Sequence, residues 1–285
     1  MEHLPIVDTH LHLWDPARIP YAWLPSVPQL NRPFGLEDFD AETVGLKVER
    51  AIFVEADCDR ARYRDEVGWV ASLAAADPRI AGIISFAPVE KGEDAQAEIV
   101  DLAGRQGVVG VRRLLQQERA PGFCLQPGFL AGVRMLAEHE LSFDLCIRHD
   151  QLTDVIALVD RCPGVRFVLD HCAKPDIRAR AIDPWKERIA QFAERPDTWC
   201  KLSGLVTEAD RATWTADDLQ PYIEHVVACF GVERVMFGSD WPVVLLASGY
   251  RRWVETLRGA LSALPPRDIR RIFRDNALAC YRLTA

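Results

Sequence analysis

The pair His10 and His12, separated by one leucine, is the feature of the sequence with the clearest chemistry. It stands at the end of an apolar run, residues 4–9, that predicts a β-strand. Side chains two positions apart on a strand share a face, so both imidazoles should point to the same side. Such a pair can supply two nitrogen ligands to a metal ion, or it can be structural.

Three more polar residues each end an apolar run. His149 ends Leu-Cys-Ile-Arg-His, His171 ends Phe-Val-Leu-Asp-His, and Asp240 ends Met-Phe-Gly-Ser-Asp. If these runs are parallel strands of a barrel, their carboxyl ends meet at one mouth. Four imidazoles and a carboxylate gathered there match the ligands of a borderline divalent ion such as zinc; the alternative is a hydrogen-bonded polar cluster that caps the barrel. The remaining histidines are interpreted as structural or solvated: His3, His139 and His225.

The elements that position these residues can be predicted from hydrophobic patterning. Eight apolar runs are predicted strands: residues 4–9, 51–56, 80–87, 108–115, 143–148, 165–170, 198–203 and 234–238. Near-continuous apolar runs are typical of parallel strands covered on both faces, and helical periodicity separates most of them. The pattern predicts an α/β fold, a (β/α)8 TIM barrel in a single domain over residues 1–285, with a final helix at about 266–282. An open doubly wound sheet is the alternative, but residues 11–18 lack the glycine-rich turn that would favour it.

The longest connection follows the first predicted strand and is rich in proline and aromatic residues. It carries Pro16, Pro20, Pro25, Pro28 and Pro33 together with Trp14, Tyr21, Trp23 and Phe34. Loops after barrel strands lie at the catalytic mouth. We therefore expect this loop to form a wall or a lid of a binding pocket. The alternative is a loop that packs on the surface without a role in binding.

Composition and charge exclude several classes of protein. The chain has 285 residues, with 34 Lys and Arg against 42 Asp and Glu, a formal charge of −8. The 49% apolar and 27% charged composition excludes disorder, collagen and coiled coil. A net negative charge does not favour binding to nucleic acid or to an anionic membrane. A small neutral or weakly charged partner is therefore predicted. The N-terminus shows no signal-peptide pattern, and eight scattered cysteines without C-x-x-C spacing predict a reduced, cytoplasmic protein.

Six motifs, in order along the chain, are similar to those of a known family. They are residues 7–12 (Val-Asp-Thr-His-Leu-His), 110–112 (Gly-Val-Arg), 169–171 (Leu-Asp-His), 200–204 (Cys-Lys-Leu-Ser-Gly), 237–242 (Phe-Gly-Ser-Asp-Trp-Pro) and 275–277 (Asp-Asn-Ala). Over essentially its whole length the chain resembles the amidohydrolase superfamily, in particular the amidohydrolase-2 branch of sugar and aromatic lactonases. Residues 202–209 and the Trp-Pro-Val after Asp240 are most similar to the L-fuconolactonase and L-rhamnonolactonase group.

The resemblance implies a metal at the barrel mouth, held by four residues: His10, His12, His171 and Asp240. The fourth strand carries Arg112 and Arg113 where binuclear members have a bridging lysine. At most one divalent metal per chain is therefore expected, zinc first and manganese as the alternative. Lactonases of this branch also work without a required metal, so the ion can be dispensable for catalysis. The family pattern can place a carboxylate at His149, which makes that residue a substrate contact rather than a ligand.

The implied reaction is hydrolysis of the ring ester of a sugar lactone, such as an L-fucono- or L-rhamnonolactone, to the free acid. Asp240 would take a proton from the attacking water and return it to the leaving oxygen, with His171 as the second catalytic residue. A divalent ion would acidify the water and polarise the carbonyl. Without an ion, His10, His12 and His171 would donate hydrogen bonds to the carbonyl oxygen.

Six residues are predicted to contact the substrate: Arg112, His149, Lys174, Trp14, Trp241 and Glu55. The planar guanidinium group of Arg112 can donate paired hydrogen bonds to substrate oxygens. Its alternative role is an ion pair inside the barrel with Asp8 or Glu55. Lys174 can reach a hydroxyl or a carboxylate. The two tryptophans can form an apolar platform for a sugar ring, with core packing as their alternative.

Two other functions stay open at this point. A metal-dependent decarboxylase or dicarboxylate lactonase of an aromatic or muconate-type acid shares the barrel and the ligand pattern, and needs a strong carboxylate-binding cluster. A non-catalytic metal- or sugar-binding protein on the same fold is the alternative from another class. The predicted partner is a small-molecule sugar lactone, without nucleic acid or membrane, and a homo-oligomer stays open.

Overall fold

The computed structural model describes residues 4–283, and in that range eight parallel strands form one sheet in chain order. They are β1 (Pro5–Leu11), β2 (Lys47–Val54), β3 (Ile80–Phe86), β4 (Val108–Arg112), β5 (Ser142–Leu145), β6 (Arg166–Leu169), β7 (Thr198–Leu202) and β8 (Val235–Phe237). The sheet curls into a nearly closed barrel, because Leu11 of β1 bridges Trp241 just beyond β8. The predicted (β/α)8 TIM barrel is confirmed.

Helices separate most of the strands. They are α1 (Leu36–Thr43), α2 (Tyr63–Ala76), α3 (Gln96–Ala103), α4 (Pro127–Glu138), α5 (Leu152–Arg161), α6 (Trp185–Ala193), α7 (Leu205–Glu208), α8 (Ala216–Phe230), α9 (Tyr250–Ala260), α10 (Pro266–Arg270) and α11 (Asn276–Cys280). The final helix predicted at about 266–282 is present with an interruption, because the π-helical turn Arg271–Asp275 joins α10 to α11.

Most strands end before the predicted residue, and the early ends of β5 and β6 move two histidines. β5 ends at Leu145 rather than at residue 148, so His149 begins a separate helical turn, His149–Gln151. β6 ends at Leu169, and the turn Asp170–Ala173 follows it. His171 has a left-handed backbone in that turn, with φ of 53°.

The inside of the barrel holds an apolar cluster next to buried charged residues. Val7, Ile52, Val54, Ile84, Val168 and Met236 form the apolar cluster, and the C-terminal segment packs against it through Ala277, Cys280 and Tyr281. Asp144 is paired with Val168 across β5 and β6, and Lys201 with Met236 across β7 and β8. Residues paired in this way face the same side of a sheet, so both charges point into the barrel.

The loop between β1 and α1 is fixed against the barrel. The Trp14 indole N–H donates to the carbonyl of Arg32 at 2.9 Å, and the Trp23 indole N–H donates to the carbonyl of Ala56 at 2.9 Å. The Tyr21 hydroxyl donates to Glu66 Oε1 on α2 at 3.1 Å. Because three aromatic side chains are anchored at different points, the loop packs as a wall of the barrel mouth.

The cysteines form no disulfide bond within the described residues. All eight are free, and seven of them are buried. Within residues 4–283, no helix combines the length and the apolar character that a membrane crossing requires.

Candidate active site

His12 presents one ring nitrogen to the mouth of the barrel. Its Nδ1 lies 2.8 Å from the carbonyl oxygen of Val54 on β2. A carbonyl only accepts hydrogen bonds, so Nδ1 carries the proton and a neutral His12 has its lone pair on Nε2. That Nε2 lies 3.5 Å from Asp240 Oδ1. The prediction that His10 and His12 share a face is confirmed, since their ring centroids are 4.9 Å apart.

His10 has the same protonation pattern for a different reason. Its Nδ1 lies 3.3 Å from Asp170 Oδ1, and its Nε2 lies 3.3 Å from Arg112 Nη1, which is a donor. The donor Lys201 Nζ also lies 3.3 Å from Nδ1, but Asp170 is the acceptor found at that atom, so we assign the proton to Nδ1 and the lone pair to Nε2. Burial lowers the pKa of His10 well below its usual value, although Asp170 acts in the opposite direction. His10 is consequently a neutral imidazole.

His171 is oriented by the motif that follows β7. Its Nδ1 lies 2.8 Å from the Ser203 hydroxyl. Gly204 has φ of +63°, and a Cβ at that position would lie 2.6 Å from the same Nδ1, so only glycine leaves room for the ring. Burial lowers the pKa of His171 to about 4, with Asp240 opposing the shift. His171 is therefore neutral at pH 7.

Asp240 lies where β1 and β8 meet. Its backbone N–H donates to the His10 carbonyl at 2.9 Å, and its own φ is +59°. Burial acts to raise the pKa of Asp240, but the interactions with His171, His12 and His10 outweigh it and lower that pKa below its usual value. Asp240 is thus an ionised carboxylate beside three imidazoles.

The donor atoms fall into two overlapping groups that share His10. In His10, His12 and Asp240, and again in His10, Asp170 and His171, one donor atom from each residue lies within 4.8 Å of the others. The first group offers two lone pairs and a carboxylate, and it fits a divalent ion of the zinc type. In the second group Asp170 already accepts from Arg112 and pairs with Lys201 at 3.0 Å. The first group is therefore the candidate metal site, with His171 beside it.

Arg112 is held mainly by an ion-pair network. Its Nε donates to Glu55 Oε1 at 2.7 Å and its Nη1 to Asp170 Oδ2 at 3.2 Å. The predicted alternative, an ion pair with Glu55, is present. Asp8 plays no part in it and instead accepts from the backbone N–H of Ser239 at 2.8 Å. Glu55 also accepts from the N–H of Asp57, so the structure assigns it to the support of Arg112 and Asp57 rather than to substrate contact.

A buried charge cluster extends this network and was not predicted from the sequence. Lys201 Nζ lies 2.6 Å from Asp144 Oδ2, which also accepts from the Tyr281 hydroxyl at 3.0 Å. Burial raises the pKa of Asp144. Burial acts to lower the pKa of Lys201, but Asp144 and Asp170 outweigh it and raise that pKa. Charged residues inside otherwise apolar predicted strands were the signal in the sequence for this cluster.

A cavity of about 320 Å³ opens beside these residues. Its lining includes His12, Arg112, His171, Lys174 and Asp240, and one wall comes from the loop after β1 through Trp14, Trp23, Ser26 and Val27. Asp57, Gln116 and Gln117, none of which was predicted, also line it. Lys174 therefore lies at the cavity, whereas Trp14 is only 1% exposed and packs against Trp23 and Phe34, as its core-packing alternative stated.

Two predicted contacts lie elsewhere. Trp241 is fully buried, with Phe34 and Phe39 at ring-centroid distances of 5.5 and 5.4 Å, so it packs in the core as its alternative stated. His149 belongs to neither donor group and does not line the cavity, because β5 ends too early to bring it there.

The other histidines agree with their interpretation where the structure describes them. His225 lies on α8 and contacts the carbonyl of Lys186, and His139 follows α4. His3 lies outside the described residues.

Comparison with known proteins adds independent findings. The amidohydrolase family model matches residues 7–283. An L-fucono-1,5-lactonase of Burkholderia multivorans is 30% identical over 289 residues, which cover 97% of this chain and 96% of that protein. An L-fucono-1,5-lactonase of Burkholderia ambifaria is 29% identical over 285 residues, covering 97% and 95%. A crystal structure of an amidohydrolase from Burkholderia multivorans with bound zinc has a TM-score of 0.89 at 28% identity, covering 98% of this chain and 99% of that chain.

Proposed function

Because this chain belongs to the amidohydrolase family, we propose that it opens the ring ester of a sugar lactone of the L-fuconolactone or L-rhamnonolactone type to the free sugar acid. The chain is a hydrolase of cyclic esters, and its similarity to two L-fucono-1,5-lactonases supports sugar lactone hydrolysis in general. The observation that carries the proposal is the ionised Asp240, 3.5 Å from His12 Nε2, at a cavity walled by Trp14 and Trp23.

Asp240 is the proton acceptor for the attacking water. It is the carboxylate that the structure places at both the cavity and the imidazole cluster. After attack on the ester carbonyl, the same carboxyl group returns the proton to the departing ring oxygen. The backbone N–H of Asp240 donates to the His10 carbonyl at 2.9 Å, which fixes the carboxylate beside the rings of His10 and His12.

One divalent ion, zinc first and manganese as the alternative, would be held by His10, His12 and Asp240. His171 lies next to His10 at the edge of this site. The bound ion would supply Lewis acidity to the carbonyl and would make a neighbouring water more acidic. Arg112 Nη1 lies 3.3 Å from the His10 Nε2 that would bind the ion, so two cations compete for one position. This competition supports loose metal binding and fits an ion that is dispensable.

His171 is the imidazole best suited to donate a hydrogen bond to the carbonyl oxygen. When the Ser203 hydroxyl donates to Nδ1, the proton of neutral His171 is on Nε2 and is available to the substrate. His10 and His12 carry their protons on Nδ1, so the structure argues against the expectation that all three rings donate. Lys174, whose Nζ lies 3.8 Å from Glu208, is the further cation at the cavity.

The cavity suits a sugar ring in size and chemistry. A volume of about 320 Å³ lies at the lower end of small-molecule sites. The partly exposed Trp23 can pack against the ring, while Gln116, Gln117 and Lys174 can bond its hydroxyl groups. We also propose a cytoplasmic role in carbohydrate metabolism, supported by the eight free cysteines and the small neutral ligand that the cavity fits.

The test is a pH-indicator assay of acid release across a panel of aldono- and aldarolactones, with and without chelator. We expect hydrolysis of a five- or six-carbon aldonolactone, slowed about 10²–10⁴-fold in Asp240→Asn. Carbon dioxide release from a carboxylated substrate without lactone hydrolysis would replace the proposal with a decarboxylase. If the protein bound lactones of the panel but hydrolysed none of them, the proposal would be replaced by a non-catalytic binding function.

A further inference from the structure

Asp57 is a charged residue of the cavity that the proposed reaction does not use. It follows β2 and lines the cavity, on a different loop from any residue assigned above to catalysis. Its φ is +54°, a left-handed conformation that is uncommon for residues other than glycine and that aspartate tolerates. A non-glycine residue held this way beside a cavity points to a function for its side chain.

Asp57 is held at its backbone by one residue and at its carboxylate by another. The backbone N–H of Asp57 donates to Glu55 Oε2 at 2.8 Å, and Gln117 Nε2 donates to Asp57 Oδ2 at 3.2 Å. Glu55 is itself fixed by Arg112 on β4, and Gln117 belongs to the loop after β4, so that neighbouring loop supports Asp57 through both contacts. Burial, and then Glu55, raise the pKa of Asp57, while Gln117, Arg112 and Arg60 act in the opposite direction.

The charges that line the cavity do not favour an anionic substrate. The lining contains two carboxylates, Asp57 and Asp240, and two cations, Arg112 and Lys174. Arg112 is paired with Glu55 and Asp170, and Lys174 lies 3.8 Å from Glu208. Both cations are therefore partly neutralised by carboxylates outside the lining, and the cavity presents acceptors for hydroxyl groups.

We propose that Asp57, positioned by Gln117, accepts hydrogen bonds from substrate hydroxyl groups and makes the enzyme reject lactones that carry a second, free carboxylate. This inference rests on the proposed lactonase function. A carboxylate acceptor bonds a hydroxyl strongly, and its charge repels an anion, so one residue supplies both attraction and rejection.

The test compares galactono-1,4-lactone with galactaro-1,4-lactone, which differ in having a hydroxymethyl group or a carboxylate at C6. The ratio of kcat/KM for the two lactones is measured for the wild type and for Asp57→Asn. Asparagine tolerates the same backbone conformation and keeps an acceptor oxygen without the charge, so the variant should fold. Asp150→Asn, an exposed residue away from the cavity, is the matched control for loss of one negative charge.

We expect the wild type to prefer the neutral lactone and Asp57→Asn to reduce that preference about tenfold or more, with KM for the neutral lactone raised. Gln117→Leu should shift the ratio in the same direction by less, and Asp150→Asn should leave it unchanged. A wild-type preference for the carboxylated lactone, or an unchanged ratio in Asp57→Asn, would overturn this inference while leaving the lactonase function intact. Acid release from neither these lactones nor the rest of the panel would remove the proposed function, and the inference with it.

Discussion

Replacing Glu66 by glutamine should remove a large part of the pH dependence of folding stability. Glu66 on α2 is 1% exposed; its Oε1 accepts from Tyr21 and from the N–H of Ala56. Its Oε2 has no hydrogen-bond partner among the described residues. Burial, and then Glu55, raise the pKa of Glu66 from 4.5 to about 8. The folded protein therefore keeps a proton that the unfolded chain releases at lower pH.

The sign and size follow from proton linkage. The contribution of Glu66 is complete below pH 4.5 and is lost as the pH rises through about 8. The full difference corresponds to about 5 kcal/mol at most, since one pKa unit is worth about 1.4 kcal/mol. Urea denaturation at pH 5, 7 and 9 should show the free energy of unfolding falling with pH more steeply in the wild type than in Glu66→Gln.

The control for this experiment is Glu37→Gln, which makes the same chemical change at an exposed residue of α1. Its stability should follow the wild-type pH dependence. Parallel curves for the wild type and Glu66→Gln would refute the reasoning, because they would show that Glu66 titrates alike in the folded and unfolded chains.

Four further predictions concern the site. Asp240→Asn should lower kcat by about 10²–10⁴-fold with an unchanged circular dichroism spectrum, and retention of more than about a tenth of kcat would assign proton transfer to another group. Arg112→Met should lower the free energy of unfolding by about 3–5 kcal/mol, because it leaves the buried Glu55 without its ion-pair partner and Asp170 with Lys201 alone; a raised KM at unchanged stability would assign Arg112 to substrate binding only. Gly204→Ala should displace the His171 ring and lower kcat at least about tenfold. The control is Gly259→Ala, where an added Cβ meets nothing within 4 Å, and its kcat should equal that of the wild type. Elemental analysis after dialysis against zinc should find at most one zinc ion per chain. Two firmly held ions would contradict the assignment of His10, His12 and Asp240 as the one metal site.

The barrel and the proximity of His10, His12 and Asp240 could be predicted because they depend on local patterns. Each of the eight apolar runs is a strand, and the alternation of side chains places His10 and His12 on one face. The ends of strands are set by the tertiary structure instead. β5 stops at Leu145, and a shift of a few residues was enough to remove His149 from the site.

The buried charge network could not be predicted, because it depends on contacts between distant strands. Lys201 and Asp144 are 57 positions apart, and nothing in either local segment specifies the other. Glu55 and Trp241 were misplaced for a related reason. Both follow strands as expected, but their environments are set by Arg112 and by the aromatic loop.

The hydrogen bond from Tyr281 to Asp144 has a consequence for the order in which the site is assembled during synthesis. Tyr281 is 137 positions downstream of Asp144, and Asp144 is joined through Lys201 to Asp170 and His10. A nascent chain that already contains all eight strands therefore still has an incomplete network behind His10. The network closes only when residue 281 has emerged from the ribosome, so a ribosome-bound chain stalled before that point should carry the strands of the barrel without a finished active site.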